Sequence, residues 1–117
     1  MAIDGPRVVF DLVAFARQTG GDADLRREII EMFLEDCPVR VAAIREAIEQ
    51  GDPVRLVSTA HSLKGACSYL AAAAAREECS QLEELGGLGK MAEAAAALAR
   101  LDAAVAELIP ELRKQLS

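Results

Sequence analysis

The chain has 117 residues, 52% of them hydrophobic and 27% charged, with a formal net charge of −6. That size and balance suit one globular domain, expected over residues 1–117 with its core at about 10–115, and exclude a disordered segment. The acidic balance, without a basic stripe interleaved with aromatics, argues against nucleic acid, and the longest apolar stretches fall far short of a membrane span.

Residues 1–6 have neither a basic start nor a long apolar run, so no signal peptide is expected there. Asp11 is placed to cap a short helix to about Thr19, with Leu12, Phe15 and Ala16 on one face and Gly20-Gly21 as its stop. Asp22 or Asp24 can cap the next helix. Its apolar positions, Leu25, Ile29, Phe33, Cys37, Val41, Ile44 and Ile48, recur every three or four residues and stay in phase across Pro38. One long helix, bent at the proline and ended by Gly51, is therefore expected.

Asp52-Pro53 is a strong start signal for a third helix, an N-cap followed by proline at the first helical position. It runs to about Leu70. A fourth, from about Ala72 to Leu85, turns Ala72, Ala75, Cys79 and Leu82 inward; Glu77, Glu78, Glu83 and Glu84 are expected outward, as a solvated face. Gly86-Gly87-Leu88-Gly89 reads as a loop. The last helix carries Met91, Ala94, Leu98, Leu101, Val105, Leu108 and Leu112 inward, and Pro110 falls near its end. No run alternates with period two. The fold class is all-α: an antiparallel four-helix bundle with a short extra N-terminal helix across one end. Met32, Phe33 and Met91 are expected in its core.

Cys37, Cys67 and Cys79 form no C-x-x-C motif, and each sits in an apolar stripe, so reduced, buried thiols and a cytoplasmic setting are expected. They belong to core stripes while His61, the only histidine, does not, which argues against a metal site built from them.

On the third helix the stripe is Leu56, Ala60, Leu63, Cys67 and Leu70. His61 lies roughly 140° from the centre of that stripe, Lys64 roughly 80°, Ser68 120°, Val54 160° and Gly65 180°. His61 is thus expected to be exposed, with Lys64 one turn along on its flank and bare backbone at Gly65 beside it. A neutral imidazole is a nitrogen nucleophile near neutral pH, its unperturbed pKa being about 6.5. An ammonium can meet phosphoryl oxygens, and phosphoryl transfer asks a protein mainly for positioning and charge neutralisation. Glycine in a helix interior costs about 1 kcal/mol relative to alanine, which points to a close-approach requirement at Gly65. Val54, Val57 and Ser68 share the histidine's face and are candidate docking residues.

Ala60-His61-Ser62-Leu63-Lys64-Gly65-Ala66 resembles the signature of histidine-containing phosphotransfer (HPt) domains of two-component phosphorelays. The resemblance extends to Phe33-Leu34-Glu35-Asp36 with Pro38, to Gly51-Asp52 and to Cys79-x-x-Leu82-Glu83. It implies that His61 is the phosphoacceptor, taking a phosphoryl group from a receiver-domain aspartate and yielding it to another. Lys64 would steady the phosphoryl oxygens and Gly65 would give the partner room. The chain departs from the family at Ala71, where glycine is frequent, and at Tyr69, where asparagine is.

The implied protein is a phosphocarrier without an independent catalytic site or cofactor, Mg²⁺ being expected only in the partner receiver; a monomer is expected, since the bundle needs no partner to complete its core. Its partners would be response-regulator receivers and a hybrid histidine kinase, with no nucleic acid and no membrane. Two alternatives stay open: the phosphoacceptor domain of a chemotaxis-type kinase, and a helical scaffold in which His61 is incidental. The chain ends soon after its last helix, which favours a stand-alone carrier or an excised fragment over the first alternative.

Overall fold

Helices α1 (Leu12–Gln18), α2 (Ala23–Glu49), α3 (Pro53–Tyr69), α4 (Ala73–Gly87) and α5 (Met91–Lys114) make up the architecture, with no strand among the described residues. The computed structural model describes residues 7–117; the opening hexapeptide, read above for a signal peptide, lies outside them. In the four-helix bundle α3 packs on α4, α4 on α5, and α2 closes the ring against both α3 and α5. Among the described residues no helix is long and apolar enough to cross a membrane.

Local sequence sets most boundaries. Asp11, Asp22 and Asp52 each accept a bond from the backbone N–H three residues on, at 3.0 Å, so α1, α2 and α3 start on capped N-termini. Gly20, Gly51 and Gly89 follow the ends of α1, α2 and α4 with positive φ, the left-handed turn that lets the chain leave a helix. Pro38 faces solvent, and α2 runs unbroken through it.

The end of α3 uses the same device with alanine. Ala71 has φ of 59°, its N–H donates to the Ser68 carbonyl at 3.0 Å, and the Ala72 N–H reaches back to Cys67 at 2.9 Å. These are the two bonds of a Schellman motif. Ala71 therefore occupies the conformation that glycine adopts without steric cost, and the helix stops there despite the substitution. Helix α1 lies over this end: Gln18 Nε2 donates to the Ser68 and Tyr69 carbonyls, and Phe15 meets Tyr69 edge-on.

The core holds Phe15, Ile30, Phe33, Ile44, Leu56, Leu63, Leu82, Leu101 and Leu108 with all three cysteines. Four expectations need correction. In α2 the stripe is rotated slightly, burying Ile30 and Ala47 while Leu25 and Met32 face solvent. Gly86 and Gly87 belong to α4, not to a loop, and Gly86 is buried: a Cβ there would stand 3.0 Å from Val57 Cγ2. Val57 is consequently wedged between α3 and α4 rather than free on the surface.

The fourth correction concerns the acidic face of α4. Glu78 is only 3% exposed and is held by Arg7 at 2.6 Å and Arg100 at 3.1 Å. A buried carboxylate requires such partners, and here they bind α5 and the irregular segment before α1 to α4. The Ala74 N–H donates to Val8 along the same strip.

Replacing Ala71 with glycine should relieve the left-handed strain and raise unfolding stability by about 1 kcal/mol. Denaturant unfolding of Ala71→Gly measures this; a loss of stability would mean that the alanine side chain contributes more by packing than its backbone costs.

Candidate functional site

His61 stands on the outer face of α3, its side chain 68% exposed, where the helical phase placed it. Leu63 and Ala60, on the opposite side of the same turns, are buried and fix that orientation. Lys64 is half-buried on the α4 flank. At Gly65 a Cβ would meet nothing within 4 Å, so the backbone beside the histidine is bare and the space above it open. Ser68 and Val54 are exposed, Val54 at 79%, whereas Val57 is half-buried against Gly86.

The residue that completes the site is Glu83 of α4. Its Oε2 lies 2.9 Å from His61 Nδ1, and its Oε1 lies 2.6 Å from Lys64 Nζ. Oε1 is enclosed and meets only that ammonium, as an ionic contact rather than a well-aligned hydrogen bond. The Lys64 ammonium, and after it the bond from His61, hold the Glu83 carboxyl below the usual carboxylate range against the opposing effect of burial. An ionised carboxylate only accepts hydrogen bonds. The proton between the two residues therefore belongs to Nδ1, so the neutral imidazole carries its lone pair on Nε2.

Sequence reasoning placed Glu83 among four solvated glutamates. A finer reading of the same helix separates them: from the stripe Ala72, Ala75, Cys79 and Leu82, Glu77 and Glu84 lie roughly 160–180° away, but Glu78 and Glu83 only roughly 60–80°. Residues on such flanks face a neighbouring helix. Which neighbour, and that His61 would be there, required the packing of α4 on α3.

On the other flank, Arg40 of α2 donates from Nη1 to the Ser62 hydroxyl, one residue from His61. The thiols take no part in this site. Burial first, and then Cys67, push the Cys37 thiol up to about 11, while a hydrogen bond with Cys79, and then burial, push Cys67 up as well. Both stay protonated and poorly nucleophilic near neutral pH. Among the described residues no group of three or more His, Cys, Asp or Glu is arranged to hold a metal ion.

The profile of the Hpt domain family matches residues 28–113 of this chain. The signal transduction histidine-protein kinases BarA of Escherichia coli K12 and of Shigella flexneri are each 28% identical to it over 79 residues. That stretch is 68% of this chain but 9% of either kinase, so the likeness concerns a small part of those proteins. Among solved structures, that of histidine-containing phosphotransfer protein B (HptB) from Pseudomonas aeruginosa PAO1 superposes with a TM-score of 0.86. It covers 92% of this chain and 93% of its own at 24% identity, a likeness of fold.

A lowered carboxylate pKa adds stability that is present above the unfolded value and is lost as pH falls through the folded one. Glu83→Gln should therefore melt below the parent protein at pH 7; the difference should begin to shrink as pH falls through the ordinary glutamate value of about 4.3 and close only below the lowered folded value, where the carboxylate is protonated in both states. Thermal melts across that range check the sign; a gap that widens in acid would contradict it.

Proposed function

The chain belongs to the Hpt domain family, and we propose that it is a phosphorelay intermediate in which His61 Nε2 accepts a phosphoryl group from a receiver-domain aspartate and passes it to another receiver. The observation that supports this reading is the His61–Glu83 bond, which occupies Nδ1 and so leaves Nε2 as the nitrogen of an exposed side chain able to act as nucleophile.

The chemistry balances without a proton leaving the site. The Nε2 lone pair attacks phosphorus, the bond from phosphorus to the aspartyl oxygen breaks, and its electron pair returns to the receiver's carboxylate. The ring becomes an N-phosphoryl imidazolium whose Nδ1–H still donates to Glu83, so the carboxylate faces the positive charge that develops. Run backwards, the same step delivers the group to a second receiver. Glu83 is a positioning residue in this scheme, and Lys64, paired with it, is the cation on the α4 flank of the histidine. Any Mg²⁺ belongs to the receiver. Acyl phosphate, imidazole and carboxylate suffice, so the carrier needs no catalytic apparatus of its own.

Docking follows from what surrounds the histidine. Gly65 leaves room for the receiver's rim, and Val54, Ser68 and the exposed Leu12 and Val13 of α1 offer it a surface of small and apolar side chains. Transient complexes of this kind depend on a few central contacts. Val57 contributes at most an edge, because it is occupied in holding α4. In this reading the carrier works as a monomer in the cytoplasm beside its receivers, a setting that its buried free thiols support.

Incubation with a labelled, phosphorylated receiver should transfer label to the chain in an acid-labile, base-stable form. His61→Gln should abolish that label while leaving the helical content unchanged; label retained elsewhere would overturn the assignment. Label arriving only from ATP through a separate kinase domain would identify a kinase substrate domain instead. Gly65→Glu should slow transfer at least tenfold, about 1.4 kcal/mol of barrier, with folding intact. Gly65→Ala should stabilise the helix by up to about 1 kcal/mol. Val54→Asp should weaken receiver binding with stability unchanged, whereas Val57→Asp should lower stability as well; an NMR titration beside thermal melts separates the two.

A further inference from the structure

The site is short of one positive charge. In the free protein the Lys64 ammonium is already matched by Glu83 at 2.6 Å, so the pair contributes no net charge beside His61. A phosphorylated side chain brings roughly two negative charges near neutral pH. If Lys64 turns to the phosphoryl oxygens it leaves the enclosed Glu83 oxygen without its only partner, an arrangement that disfavours the charged state.

A second cation stands on the opposite flank. Arg40 rises from α2 and is half-buried, and its hydrogen-bond partner among the described residues is the Ser62 hydroxyl, next to His61 in the chain. Nearby arginines behave differently: Arg45 takes Asp102 at 2.9 Å and Arg55 takes Glu46 at 2.8 Å. Arg40 meets no carboxylate among the described residues. A neutral hydroxyl anchors a guanidinium without neutralising it, and its planar donor fork matches phosphoryl oxygens.

Gly65 connects this arginine to the histidine. On α3 it follows Ser62 by three residues and His61 by four, so all three share one patch of helix surface. By helical phase residue 65 falls between His61 and Ser62, where Arg40 is held, and a Cβ there would meet nothing within 4 Å.

We propose that Arg40 is a phosphoryl-contacting residue: held at Ser62 in the free protein, it swings across Gly65 to the phosphoryl oxygens of phospho-His61. This rests on His61 being the phosphoacceptor and adds to it. Lys64 can then remain with Glu83, which keeps Nδ1 fixed through the cycle, and Gly65 acquires a role inside the carrier besides making room for a receiver.

The test loads His61 with a catalytic amount of receiver, regenerated by acetyl phosphate, and follows the Arg40 Nε–H resonance together with the ³¹P signal. The arginine resonance is assigned by its disappearance in Arg40→Lys. It should move on phosphorylation of the parent protein and stay put in His61→Gln treated alike. In Ser62→Ala it should move at least as far, since the anchor is gone. Arg40→Ala should shift the ³¹P signal and lower the equilibrium share of phosphoryl on His61 about tenfold, the worth of one charge-assisted hydrogen bond. Arg40→Lys should recover part of it. A loaded His61 with an unmoved Arg40 resonance and an unchanged ³¹P signal in Arg40→Ala overturns this inference alone. Failure to load His61 from any receiver overturns the phosphoacceptor reading, and this one with it.

Discussion

The bond from His61 Nδ1 to Glu83 spans two helices, and it exists because α3 and α4 approach closely enough for a short carboxylate arm to reach across. That approach is set one turn beyond Glu83 by Gly86, whose missing side chain leaves space filled by Val57 and Leu56. A Cβ there would press on Val57 at 3.0 Å and on Leu56 at 3.3 Å, so this seam between α3 and α4 would have to give way. The chemistry of the exposed histidine thus depends on a packing feature buried beneath it. The ionic contact between Glu83 and Lys64 adds a second tie across the same seam, and together they hold imidazole, ammonium and carboxylate in contact before any partner arrives.

Much of this was legible in the residue order because it is local. Asp caps, glycine stops and Asp52-Pro53 fixed the helices to within about two residues at most ends, and helical phase placed His61, Lys64 and Gly65 outward. What escaped was information held between helices. Glu78 and Glu83 look alike beside Glu77 and Glu84 until α5 supplies Arg100 to one and α3 supplies His61 to the other. Val57 lies on the histidine's face by angle but is claimed by the glycine of a neighbouring helix. The Gly86-Gly87 pair carries a turn-like composition, and the need for close packing overrode it.

Ala71 gives the complementary lesson. The family resemblance marks it as a departure, and the structure has the alanine there in the left-handed conformation open to glycine, held by the two bonds that end α3 and by α1 lying across them. Tertiary contacts therefore hold a conformation that the residue itself disfavours. A small stability sacrifice at the end of the histidine helix leaves the position of His61, ten residues earlier, untouched.

The central claim is that Glu83 fixes the ring so that Nε2, and not Nδ1, receives the phosphoryl group. Because His61 is the only histidine, ¹⁵N labelling of histidine yields one imidazole, and long-range ¹H–¹⁵N correlation reads both of its nitrogens before and after phosphorylation. The account predicts a protonated Nδ1 in the free protein and phosphorus attached to Nε2 afterwards, with Nδ1 still carrying its proton. Phosphorus found on Nδ1, or a free protein with the proton on Nε2, would contradict it.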